Sequence, residues 1–453
     1  MLEKVEFTLE GDNMLDLCQY AVSLGEKLGA DELEAMWKKK VSTIIKAEMG
    51  EINEASMTES EGLRIRLIKN KALSSVFTYH TDQSSVRKAI EKALHAAEAS
   101  RKDELWDSLP YPKEYPEVDV WDRNMEEMCS ETLMEPVMEL IQLTPDNIEV
   151  YLAVNEIILH QWAFANSNGI EHTDRGTQEA LVFWAARNLK DGITPLFYEG
   201  SFLREYNPDP QHLVEELTHN INLFKNPETA FSGRSQVIFS PQALQELVRY
   251  TLLTALSGER AARGKSLLVG REGEQIASPQ LTLHDNGIIR EGISSREMDD
   301  EGVPCQDTPL IVKGVLRGFI WNDYWAKHMG VSSTGNAHCY ERKGEMSIRQ
   351  STMTITPGKY KREELFDIED GYYVLNVESV HGPDPRSGDF SVVCTPVLKI
   401  RKGEISGGMT KMTLMDSFFS LLNKFEAIGS EIKICECSIL PHVRFTDMHI
   451  VST

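Results

Sequence analysis

The sequence predicts an α+β fold in two parts. The N-terminal half reads as a mixed domain of antiparallel sheet and helices. The C-terminal half reads as a β-rich, barrel-like domain organised around one central helix. Three observations carry this. Alternating runs such as Leu63-Arg64-Ile65-Arg66-Leu67 share the first half with helical periodicities such as Val86, Ile90, Leu94 and Ala97. From residue 275 onward, short apolar runs punctuated by Gly and Pro dominate. Between them stands Ser240–Leu256, with Ser240 as cap, Pro241 at the first helical position and Leu244, Leu247, Val248, Leu252, Ala255 and Leu256 along one face.

Taken in order, residues 14–28 form a first helix, with Met14, Cys18, Ala21, Val22 and Leu28 on one side. Strands follow around 41–47, 63–67 and 74–79, then a helix over 81–101 capped by Asp82 or Thr81. Residues 103–118 hold Pro110, Pro112 and Pro116 and read as an extended connector. A helical run over 124–143 is expected to break at Pro136. Strands are expected at 148–160, 161–166, 170–174 and 177–188, and a helix at 210–224. The hairpin at 166–187 echoes the one at 51–69, the pattern an internal duplication would leave. A domain boundary near Asn226-Pro227 divides the chain into 1–228 and 229–453. Beyond it, strands are expected at 236–239, 281–284, 310–312, 315–321, 353–356, 372–380, 390–400 and 443–451, with one further helix at 414–425.

With 453 residues, 41% apolar and 26% charged, the chain is long enough for two or three domains and has an ordinary globular composition. A net charge of −23 repels phosphate backbones and anionic lipid, so neither direct nucleic-acid binding nor membrane binding is expected. There is no apolar run of membrane-spanning length, and the N-terminal residues lack the layout of a signal peptide. Seven cysteines, most of them isolated, suit a reducing compartment, so a cytoplasmic location is expected.

A helical zinc site needs two imidazoles on neighbouring turns, and no two histidines lie within six residues. His212 and His219 are seven apart and read as surface residues. Cys435-Glu436-Cys437 with His442, and His338 as a remote partner, is the best metal-like cluster, although both cysteines also fit a core strand. Asp299-Asp300-Glu301-Gly302 reads as a solvated turn or, alternatively, a cation site. Arg263-Gly264-Lys265-Ser266 imitates the end of a phosphate loop without its preceding glycine. Two polar loops could present backbone groups to a peptide or serve as plain hairpin turns. They supply the groove candidates Thr334, Gly335, Asn336, His381, Ser387, Gly388, Asp389 and Phe390.

The ordered set SGERAARGKS, Asp300-Glu301-Gly302-Val303-Pro304, Lys313-Gly314-Val315-Leu316 and Ser333-Thr334-Gly335-Asn336-Ala337 resembles the TldD/PmbA family, the modulators of DNA gyrase. Ser387–Ser391, Arg401–Ile405 and Leu421–Gly429 continue the match. The resemblance implies a cytoplasmic metallopeptidase built as a heterodimer. Its TldD subunit holds zinc through a helical HExxxH motif and a C-terminal Cys, and its TldE (PmbA) subunit lacks these ligands. The motif positions fall on Arg249, Tyr250 and Thr254, so the resemblance implies a TldE-type chain with no catalytic or cofactor residue of its own. Zinc is then expected in a TldD-like partner, with a peptide as substrate and a homodimer as the other assembly. A divergent metallopeptidase using Cys435, Cys437 and His442, and a protein-interaction regulator, are the alternatives. Whether the chain hydrolyses anything alone is left open.

Overall fold

The computed structural model describes residues 11–189, 192–340, 344–382, 384, 388–409 and 411–452. It is a mixed α+β structure built on two large sheets. The first is made of β1 (Glu32–Glu48), β2 (Glu51–Lys69), β3 (Ala72–Thr78), β4 (Ile148–Asn166), β5 (Glu171–Leu189), β6 (Gly192–Ile193) and β7 (Phe197–Leu203). Its order is β3-β2-β1-β4-β5-β6, with β7 also on β5. Two long hairpins, β1–β2 and β4–β5, thus lie side by side through the antiparallel pair β1–β4.

Successive side chains on a strand point to opposite faces. On one face, Leu33, Ala35, Trp37, Leu63, Ile65 and Leu67 pack beneath α1 (Gly11–Lys27) and α2 (Gln83–Ala99). Val41, Ile45, Ile157 and Leu181 continue that face beneath α4 (Ser130–Leu143) and α5 (Pro210–Leu223), while α3 (Arg123–Glu126) is a short turn before α4. The intervening residues Glu34, Lys38, Arg64 and Arg66 turn to the other face. Asp82 caps α2 as expected, accepting from the backbone N–H groups of Ser84 and Ser85.

Some expected boundaries move. Pro136 does not break α4; it removes the N–H that would serve the Thr132 carbonyl, and the Tyr206 hydroxyl donates to that carbonyl instead at 3.2 Å. The strands expected at 148–160 and 161–166 are one, as are those at 170–174 and 177–188, because the ladder to β1 or β4 runs on through each gap.

The second sheet has thirteen strands. β8 (Gly233–Phe239) lies within it, parallel to Asp370–Val374 and antiparallel to the last strand, Ser438–Ser452. Its path ends at Val315–Leu316 on one side and Glu404–Met409 on the other and branches at the last strand, so the described strands form no closed barrel. Of the expected 315–321 strand, Val315–Leu316 forms a ladder and Ile320 makes an isolated bridge to Ser257. The runs 372–380 and 390–400 each split in two, at Leu375-Asn376 and Thr395-Pro396. The expected helix at 414–425 shrinks to Phe418–Asn423, since Met412–Ser417 is drawn into the sheet. It is not the only additional helix: α8 (Asp323–Met329) and Arg362–Phe366 also form, the former capped by Asn322 and closed by Gly330 in the left-handed conformation. The core of this half joins α6 (Pro241–Val248) and α7 (Gly258–Ala262) to one face of the central strands (Val237, Phe239, Tyr372, Val374), while Ile238, Tyr373 and Leu398 on the opposite face pack with the α4–α5 side of the first sheet.

Candidate functional site

The central helix begins as its sequence dictates. The Ser240 hydroxyl accepts from Ala243 N–H at 3.1 Å and donates to the Leu375 carbonyl at 2.8 Å, fixing the helix start to the sheet. Leu244, Leu247, Val248, Leu252 and Leu256 are buried. The helix is not uniform, however. From Arg249 to Leu253 it widens into a π-turn, a form that recurs at functional sites. There the Thr251 hydroxyl donates to the Leu247 carbonyl at 2.6 Å. Arg249 and Thr254, five apart, bracket this turn. The Arg249 guanidinium is part-exposed and lies 3.9 Å from Glu246, Tyr250 is 42% exposed, and the Thr254 hydroxyl donates back to the carbonyls of Thr251 and Tyr250.

The C-terminal cysteines approach the same helix. Phe425–Cys435 and the last strand form a hairpin, with Glu436 and Cys437 in its turn. Gln245 on α6 clasps that turn: its side-chain oxygen accepts from Cys437 N–H at 3.2 Å and from the Ser438 hydroxyl at 2.6 Å. Burial pushes the Cys437 thiol up to about 11, and the nearby Arg249 charge acts in the opposite direction. Burial likewise pushes Cys435 up to about 12.

Zinc takes thiolate, imidazole or carboxylate ligands. A guanidinium, an exposed phenol and a hydroxyl bonded to its own helix do not fit that set. His442 lies elsewhere, bonded to the Tyr373 hydroxyl at 3.1 Å, with its pKa held down to about 3 by burial. His338 is paired towards Asp300 at 3.7 Å. Among the described residues no three His, Cys, Asp or Glu side chains gather as a metal site. His212 and His219 are exposed on α5, as expected.

The carboxylates at 299–301 do not form a solvated turn. Asp299, Asp300 and Glu301 are all buried. Lys38 reaches Asp300 at 2.9 Å and Arg296 reaches it at 2.6 Å, while Arg66 reaches Glu301 at 3.0 Å and Glu34 at 2.7 Å. Arg64 bonds Glu34 at 2.9 Å and the Asp300 carbonyl at 2.5 Å. Burial would raise the Asp300 carboxyl, but Lys38, Arg296 and Arg64 outweigh it and hold the group well below the usual range. Asp299 is pushed up, first by burial and then by Glu301. Arg296 is a near neighbour in sequence, but Lys38, Arg64 and Arg66 come from β1 and β2, 235 or more positions away, and only with them is the cluster neutralised inside the fold.

The first polar loop is closed by bonds from other segments. Trp321 N–H donates to the Thr334 hydroxyl at 2.6 Å, and the buried Asn336 amide donates to Asp285 at 2.6 Å and to the Arg349 carbonyl at 3.0 Å. Gly335 has φ +74°, and a Cβ there would fall 2.4 Å from the Pro304 carbonyl oxygen. This loop is therefore an internal latch. In the second loop, Gly388 is buried and bonded to the Asp384 carbonyl at 2.8 Å, Phe390 belongs to the core, and Asp389 is exposed. Ser387 and the His381 side chain lie outside the described residues.

Sequence reasoning missed two clefts assembled from separated segments. One, of about 410 Å³, is lined by Trp121, Gln161, Asp174, Arg175 and Glu297 among others. The other, of about 420 Å³, is lined by Arg66, Trp106, Arg263, Tyr324 and Trp325 among others. No local motif marks either.

Comparison with known proteins converges on one family. Residues 232–452 match the model of the PmbA/TldA metallopeptidase C-terminal domain, and residues 34–97 match domain 1 of the same family. A solved structure of TldE from Thermococcus kodakarensis superposes with a TM-score of 0.92 and 28% identity, over 96% of this chain and all of that one. A Thermotoga maritima structure described as a modulator of a DNA gyrase shares the fold, with a TM-score of 0.88 and 20% identity, over 97% of this chain and all of that one. In sequence, an uncharacterized protein of Methanocaldococcus jannaschii is 25% identical over 86% of this chain and 92% of its own length. A metalloprotease TldD homolog of Buchnera aphidicola is 27% identical over 50% of this chain, and the match spans about half, 47%, of that protein.

Proposed function

The chain belongs to the PmbA/TldD metallopeptidase family, and from that premise we propose that it is the subunit without a catalytic metal in a TldD/TldE-type zinc metallopeptidase acting on peptides or unfolded polypeptides. One observation carries the reading. The positions that the family resemblance assigns to the zinc motif carry a part-exposed guanidinium (Arg249), an exposed phenol (Tyr250) and a hydroxyl bonded to its own helix (Thr254), none of them a metal ligand, and this supports the reading. On this reading a TldD-like partner holds the zinc, and this chain helps to enclose the peptide. Among the described residues β3 pairs with β2 over Leu63–Lys69, which leaves the backbone edge of β2 from Glu51 to Glu61 as a place where an extended peptide could add a strand.

Purification from the native host, followed by zinc analysis and peptidase assays of each subunit alone and together, tests the proposal. The expected outcome is a one-to-one complex whose zinc resides in the partner and whose hydrolysis needs that partner. Zinc-dependent hydrolysis by this chain alone would overturn it.

A further inference from the structure

The 420 Å³ cleft lies where edge strand β3 of the first sheet meets α7 and α8 of the second half. It shares no lining residue with the Arg249–Cys437 region. Its walls are aromatic. Trp106 and Tyr324 stack at 6.3 Å, Tyr324 meets Trp325 edge-on at 5.0 Å, and Tyr324 is held by a 2.7 Å bond from its hydroxyl to Asp103. Two guanidinium groups line the same space. Arg263 lies 4.7 Å over the Trp325 ring, half-exposed, and spends only its Nε–H on Glu259. Arg66 lies 5.5 Å over Trp106 and is 6% exposed. Its terminal nitrogens are committed to Glu34 and Glu301. Arg66 is therefore held within the carboxylate network, and Arg263 is the half-exposed guanidinium of the lining.

We propose that this cleft binds a carboxylate carried on an aromatic group, with the ring against Tyr324 and Trp325 and the carboxylate on Arg263. Flat rings stack on these walls, and guanidinium groups are the preferred partners of carboxylates. The same chemistry is offered by a free aromatic acid and by the C-terminal aromatic residue of a peptide.

Calorimetric titration of the full chain separates these cases, using N-acetylphenylalanine, its amide, N-acetylalanine and the peptide Gly-Gly-Phe. N-acetylphenylalanine is expected to bind saturably, with the amide and N-acetylalanine each weaker by about ten-fold, the scale of one charge-assisted bond or one lost ring. Arg263→Gln, at a half-exposed position that leaves the core intact, is expected to weaken the acid by about ten-fold and the amide little. The surface control Arg271→Gln should change neither. Gly-Gly-Phe binding at least as tightly as the acid identifies a peptide C-terminus, and much weaker binding identifies a free acid. Equal affinity for acid and amide, no saturation by any probe up to about 10 mM, or an unaltered acid affinity in Arg263→Gln overturns the proposal. None of these outcomes depends on whether the chain has a zinc-bearing partner.

Discussion

Arg66, near the end of β2, donates to Glu301 at 3.0 Å across 235 positions of sequence, and its other terminal nitrogen reaches Glu34 at 2.7 Å. These buried bonds tie the first sheet to the connection between Leu283–Asn286 and Asp307–Val312 of the second sheet. Four cations (Lys38, Arg64, Arg66, Arg296) and four carboxyls (Glu34, Asp299, Asp300, Glu301) meet there, with Tyr115 adding a 2.7 Å bond to the Gly302 carbonyl. Such a network holds two layers in one register, because a shift of either leaves charges buried and unpaired.

Removing one partner should therefore cost far more than a surface ion pair. Arg66→Met leaves Glu34 and Glu301 short of a cation and is expected to lower stability by about 3–5 kcal/mol. The midpoint of urea unfolding measures this. The double variant Arg66→Met with Glu301→Leu should recover part of the loss, since the second carboxylate is then gone.

Glu179 predicts a pH effect of definite sign. It is buried on β5, neither of its oxygens has a partner among the described residues, and burial pushes its pKa from 4.5 up to about 8. Between these values the folded chain holds a proton that the unfolded chain has released. This group's contribution to stability is therefore full below about pH 4.5 and falls as pH rises towards 8, by about 1.4 kcal/mol per unit at most. Glu179→Gln removes that slope. Unfolding of both proteins at pH 5 and pH 8 should show the variant gaining on the wild type at the higher pH.

Gly258 closes the central helical segment against α8's neighbourhood. Its N–H bonds the Ile320 carbonyl at 2.8 Å, and a Cβ would meet the Trp321 ring at 2.1 Å and that carbonyl oxygen at 2.7 Å. Gly258→Ala should displace Trp321 and destabilise the fold by about 1–3 kcal/mol. Loss of thermal stability together with a shifted tryptophan emission would register both effects.

The π-turn makes a grafting test direct. Arg249→His, Tyr250→Glu and Thr254→His together restore imidazoles five apart on the widened turn, near Cys437. The triple variant is expected to retain zinc through dialysis at about one ion per chain, the ratio set by a single site. A folded variant that retains none would mean that these positions do not face a common ion.

The sequence alone determined the local elements. The Ser240–Pro241 start, the leucine face of the central helix, the Asp82 cap and the alternation along β1, β2, β4 and β5 follow from neighbours in the chain, and the structure keeps them. The lack of any close histidine pair was equally legible. What only the tertiary structure decided were features whose partners lie far apart. Asp299, Asp300 and Glu301 read locally as a solvated turn because, Arg296 apart, their cations sit on β1 and β2, and burial is tolerated only once those charges converge. The Thr334–Asn336 loop reads as an open turn because Trp321, Asp285 and Pro304, which close it, come from three other segments. The helix carrying Arg249 showed the same division: its face and cap are written in consecutive residues, while its π-turn and its meeting with Cys437 depend on how the last hairpin packs against it.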